Sequence, residues 1–152
     1  MFTKVLLATD FSEWSRKALD YAIQLKEAGT REVVLVHVID QRENDMIMRG
    51  ISGLGESKNS FKEEVFNNLV EKARTNLKNT QLYLEEAGLI VRPHLITGVP
   101  YKEILAIADS ENVSLIVLGS HGKSNIADMI MGSVSEGVIR NATQPLLVVK
   151  RA

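Results

Sequence analysis

Several stretches of this chain are apolar at nearly every position rather than at every second one: Val5-Leu6-Leu7-Ala8, Val33-Val34-Leu35-Val36-His37-Val38, Leu115-Ile116-Val117-Leu118 and Leu146-Leu147-Val148-Val149. A strand with one wet face alternates, so continuous runs rich in β-branched residues require cover on both faces. Parallel sheets flanked by helices provide that cover. The intervening segments are suitably helical. Phe11, Trp14, Ala18, Ala22 and Leu25 recur at three- and four-residue steps before Gly29, and Phe66, Leu69, Val70, Ala73 and Leu77 line a long second helix ending near Gly88. Pro100 suits the first turn of a third helix with Ile104, Leu105 and Ala108 on one face, and Val134 and Val138 mark a fourth after Gly132. Leu89 to Thr97 forms the remaining strand, where Pro93 lacks a donor and so predicts a sheet edge.

At 152 residues the chain suits a single domain over 1–152. Right-handed crossovers predict an open five-stranded parallel sheet in the order 3-2-1-4-5, helices on both faces, with a ligand crevice where the order reverses between strands one and four. Asp10 and Gly119, at the carboxyl ends of those strands, should face each other across it. The segment at about 41–60, with Gly50, Gly53, Gly55, Met46 and Met48 and no clear period, is read as a mobile loop holding at most a short helical turn.

Composition narrows the functional classes. A formal charge of −1 with dispersed Lys and Arg argues against a nucleic-acid groove. Without cysteine there is no disulfide or thiolate chemistry. No apolar stretch approaches membrane-spanning length and no leader is recognised, so a cytoplasmic protein without membrane association is expected. The N-x-S/T matches at Asn112 and Asn141 are then chance.

The chemistry concentrates in the stretch GSHGKSNIADMIMGS, from Gly119 to Ser133. Two glycines after a buried strand let backbone amides approach an anion, and the later Gly132-Ser133 brings a helix N-terminus to the same place. Walker A is rejected because Val117 stands where its first glycine is needed; the dinucleotide fingerprint fails because Lys58 replaces the third glycine after Gly53 and Gly55. Ser133 and Ser135 offer hydroxyls to phosphate oxygens. Ser133 to Glu136 also reads as a capping box with no ligand implied, and both readings can hold.

The spacing Gly119, two residues, Gly122, nine residues, Gly132-Ser133 closely resembles the ATP-binding signature of the universal stress protein family. The resemblance extends over Val5 to Ser12, Val36-His37-Val38, Leu118 to Gly122, Gly132 to Ser135 and Gln144 to Val149. It implies a Rossmann-like fold of the adenine nucleotide alpha hydrolase type and a nucleotide site. Thr9 and Asp10 would lie near ribose and phosphates, and the Val38 backbone would meet the adenine edge. Gly119 and Gly122 would border ribose and phosphate, with Gly132, Ser133, Val134 and Ser135 holding phosphates. It also implies a homodimer paired through the C-terminal strand.

Asp10, three residues before Glu13, equally suits an N-cap; Mg2+ would enter with the triphosphate and need few protein ligands. His121 is a candidate phosphate contact or proton carrier, with a plain loop residue as the simpler reading. His37 and His94 are read as strand residues, and no metal-ligand spacing appears. No catalytic residue is assigned. The preferred function is an ATP-dependent regulatory or stress-response module acting on an unidentified protein partner. Slow or partner-stimulated ATP hydrolysis on the same scaffold is the alternative.

Overall fold

The computed structural model describes residues 1–51, 58–121 and 131–150. Its elements run β1 (Lys4–Ala8), α1 (Glu13–Gln24) extended by a 3₁₀ turn (Leu25–Ala28), β2 (Glu32–Asp40), α2 (Gln41–Ile51) and α3 (Lys58–Glu86). Then follow β3 (Ile90–Gly98), α4 (Pro100–Ser110), β4 (Leu115–Gly119), α5 (Ser133–Asn141) and β5 (Leu146–Val149). All strand pairs are parallel and the order is β3-β2-β1-β4-β5, as the sequence predicted.

The continuous apolar runs feed two cores, because successive side chains leave a strand on opposite faces. Val5, Leu7, Val33, Leu35, Leu115 and Val117 point to one face, where they meet Ala18, Leu19 and Ala22 of α1 and Leu77 and Leu84 of α3. Leu6, Ala8, Val34, Val36, Ile116 and Leu118 point to the other, against Ile104, Ile107 and Ala108 of α4 and Val138 of α5. Helices connecting strands on one side of β1 therefore cover one face, and helices carrying the chain back across cover the other. Pro93 lies on edge strand β3 opposite Leu35, where its missing donor costs no ladder bond.

One expectation is corrected. Among the described residues of 41–60 there is more than a short helical turn: α2 occupies Gln41–Ile51 directly after β2, and α3 already runs from Lys58. Asp40 supports the start of α2 by accepting the Arg42 backbone N–H at 2.9 Å, with the Arg42 guanidinium 3.2 Å from its other oxygen. Residues 52–57 lie outside the described residues.

At the amino ends of the strands, Glu111 just beyond α4 ties two strands to a helix. Lys4 Nζ donates to its Oε2 at 2.7 Å, His94 Nε2 lies 3.2 Å from Oε1, and Arg92 stands 4.0 Å from Oε2 while also pairing with Glu32. The Lys4 hydrogen bond is the main cause holding the Glu111 carboxyl below its ordinary value of 4.5, outweighing burial, with the Lys4 charge, the His94 hydrogen bond and the Arg92 charge adding to it. A different close approach joins α5 to α4: a Cβ on Gly137 would stand 2.5 Å from Cγ of Tyr101.

Two outcomes follow. Gly137→Ala would gain about 1 kcal/mol in an open helix, but against the Tyr101 ring it is expected to lose about 1–3 kcal/mol through overpacking. A lowered urea midpoint checks the sign. For Glu111 the folded carboxyl titrates below the unfolded one, so its contribution is full above about pH 4.5 and fades as pH falls through the lowered folded value. Glu111→Gln should therefore be less stable than wild type near neutrality, with the gap closing as pH falls below the ordinary carboxylate range in paired urea titrations.

Candidate functional site

The turn after β1 is built by short polar side chains. Thr9 continues the ladder by donating its N–H to the Val36 carbonyl at 2.9 Å, and the chain then breaks away at Phe11, whose φ of 62° is rare for a bulky residue. That conformation is held from two sides. The Phe11 N–H donates to Thr9 Oγ1 at 3.1 Å, and the Phe11 ring lies 4.4 Å from that of His37, itself fixed by an Nδ1 donation to the Thr9 carbonyl at 2.7 Å. Asp10 Oδ1 accepts from the Ser12 N–H at 2.9 Å and from Ser15 Oγ at 2.5 Å. Asp10 is therefore not the helix cap; Ser12 is, accepting from the Ser15 N–H at 3.3 Å. Asp10 instead closes an Asx turn, placing a half-buried carboxylate at the mouth of the crevice.

Across the crevice, β4 ends at Gly119. A Cβ there would sit 3.2 Å from the Trp14 carbonyl oxygen, so this glycine admits the backbone of α1. The chain returns at Gly132, whose N–H donates to the Ser120 carbonyl at 2.8 Å, and Ser135 Oγ donates to the Gly119 carbonyl at 2.7 Å. These bonds bring the start of α5 beside the end of β4, as the glycine spacing predicted. The capping-box reading fails, since Gly132 is the N-cap, makes no side-chain cap, and leaves Ser133 as the exposed first residue of α5. The hydroxyl proton of buried Ser135 is committed to Gly119 rather than left for a ligand. His121 Nδ1 lies 2.8 Å from Ser120 Oγ.

The strands also end unevenly. β1 stops opposite Val36, whereas β2 continues to Asp40. The Val36 carbonyl faces β1, where it receives Thr9, and backbone groups two residues apart on a strand point the same way. The N–H and C=O of Val38 therefore face the space that β1 has vacated and make no ladder bond there. A donor and an acceptor side by side at the rim match a flat heteroaromatic edge.

These parts surround one cavity of about 520 Å³. Thr9, Asp10, Val38, Gly119, His121, Gly132, Ser133, Val134 and Ser135 all line it; Gly122 lies outside the described residues. Ala8, Val36, Pro100, Ile104 and Leu118 form apolar walls. Sequence reasoning missed the wall from α3, comprising Leu69, Lys72, Ala73 and Asn76, and the acidic rim of Asp40 and Glu43. Leu69 and Ala73 carried a helical period that pointed to core, and nothing local said that this part of the helix would rise beside the crevice.

A doubly wound sheet with a polar crevice at its switch point, where the end of β4 and the start of α5 meet on one side and β2 runs past β1 on the other, defines an α/β protein with a switch-point ligand crevice. The model of the universal stress protein family matches residues 1–150, and the chain belongs to that family. Universal stress protein MJ0577 of Methanocaldococcus jannaschii is 40% identical, with 99% of this chain and 96% of that protein covered. A solved structure of MJ0577 superposes with a TM-score of 0.87 at 38% identity, covering 100% of this chain and 98% of that one. Two more distant universal stress proteins, each 22% identical, share the fold. One was solved in complex with cAMP (TM-score 0.66, covering 98% of this chain and 97% of that one), and one from Archaeoglobus fulgidus with dAMP (TM-score 0.62, covering 99% and 100%).

The two serines of α5 should separate cleanly. Ser135→Ala leaves the Gly119 carbonyl without its donor and is expected to cost about 1–3 kcal/mol in chemical denaturation. Ser133→Ala removes no cap and should stay within about 0.5 kcal/mol of wild type.

Proposed function

We propose that the protein is an ATP-binding regulatory module of the stress response. The observation carrying this reading is the unpaired Val38 N–H and C=O beside an apolar slot, at the opposite side of the same cavity from the α5 N-terminus. Adenine offers a complementary acceptor and donor along one edge and a face for the slot, and the phosphates suit the amides of a helix start. In this reading Thr9 and Asp10 lie near ribose and phosphates, Gly119 and Gly122 border them, and Gly132, Ser133, Val134 and Ser135 hold the phosphate end, Ser135 by backbone and position. The adenine nucleotides named in the two distant complexes support the ligand class. Mg2+ enters with the triphosphate, whose phosphates are its main ligands.

Regulation follows from α2. Glu43 of α2 lines the cavity, so occupancy reaches the 41–60 segment and changes what a protein partner in the cytoplasm meets. β5 is an edge strand of the sheet, and Leu146, Leu147 and Val148 on it are only half-buried. That supports homodimer pairing through this strand.

Calorimetry with ATP tests the reading. Wild type should bind ATP, and Ser133→Ala should lose about 1.5–3 kcal/mol of binding if its hydroxyl meets a phosphate. ATP should protect the 41–60 segment from proteolysis more than ADP does, since only differential affinity shifts an equilibrium. Failure to bind any adenine nucleotide would sink the proposal. Rapid turnover with equal protection by both nucleotides would favour a hydrolase.

A further inference from the structure

We propose that α3 supplies the counter-charge for the outer phosphates of the bound nucleotide through Lys72; this rests on the nucleotide reading above. α3 has 29 residues and β2 has 9, so the helix is about 43 Å long against about 30 Å for the strand. Its later turns, at Leu77 and Leu84, pack under the sheet, which leaves the earlier turns to rise past the carboxyl ends of the strands. There Leu69 and Ala73 fix the face of the helix that meets the cavity, and Lys72 and Asn76, one turn apart, line it with them.

Charge gives this placement its meaning. Asp10, Asp40 and Glu43 bring three carboxylates to the lining, while Lys72 is the one lysine or arginine among the described lining residues. Asp40 is paired with Arg42, and Asp10 is held by Ser12 and Ser15. Lys72 is exposed and has no hydrogen-bond or ion-pair partner among the described residues. Three carboxylates repel the negative charge that a polyphosphate keeps beyond what its Mg2+ neutralises, and an unpaired ammonium on a rigid helix gives up no existing partner to offset it. α3 thereby discriminates nucleotides by phosphate count, while the base is read at Val38.

The test is calorimetry of wild type, Lys72→Gln and Lys72→Arg with ATP, AMP and adenosine at low salt. Gln matches Lys in helix propensity, so the fold is retained; circular dichroism verifies it. Lys72→Gln should weaken ATP binding about 10- to 100-fold, AMP binding less, and adenosine binding not at all. Lys72→Arg should recover most of the ATP affinity. Unchanged ATP affinity in Lys72→Gln, with wild type binding ATP, overturns the role of Lys72 alone. An equal loss for adenosine also overturns it, because the side chain would then act through packing. Wild type that binds none of the three overturns the nucleotide reading and this role together.

Discussion

β1 is hydrogen-bonded to β2 on one side and to β4 on the other, so the chain builds outward in one direction, returns over the opposite face and builds outward again. The helices leaving β1 and β4 must therefore cover opposite faces, and the two carboxyl ends part instead of being bridged by a single connection. The crevice between them is a consequence of strand order. It is deepened because β1 stops opposite Val36 while β2 runs on to Asp40, leaving sheet backbone that no strand pairs. An enclosed, uniformly paired sheet would have no such polar edge to offer a ligand.

The crevice stays open because the turns beside it are rigid. Asp10, Ser12 and Ser15 bond one another, Thr9 is held by Val36 and His37, and Phe11 is kept in a left-handed conformation by Thr9 and the His37 ring. On the facing side Ser135 holds the Gly119 carbonyl and Gly132 holds Ser120. Polar side chains are thus spent on positioning backbone, and backbone amides and carbonyls are the groups presented. Backbone groups fixed in this way are preorganised donors and acceptors that need not rearrange to meet a ligand.

The acid rim and the α3 wall complete this frame. Asp40 and Glu43 come from the end of β2 and the start of α2, and Lys72 from α3, so three elements bring charge to the cavity. Under the proposed reading, a ligand meeting Glu43 and Lys72 bears on both helices at once, and that contact would couple occupancy to a surface a partner can read.

Much of this was written in local pattern. Runs such as Val33 to Val36 dictate a strand buried on both faces, Pro93 dictates an edge, and the spacing of Gly119, Gly132 and Ser133 points to a strand end rejoined by a helix start, because each rests on backbone sterics or periodicity readable along the chain. What local pattern could not carry depends on distance in space. Ser133 looks like a cap until Gly132 takes that place, and nothing beside Gly119 in the chain announces the Trp14 carbonyl packed against it. Residues 41–51 read as loop until α2 forms against β2 and α3, and Lys72 is an ordinary surface residue until a helix longer than its strand lifts it to the crevice. Such roles belong to pairs of elements remote in the chain, and only packing sets their separation.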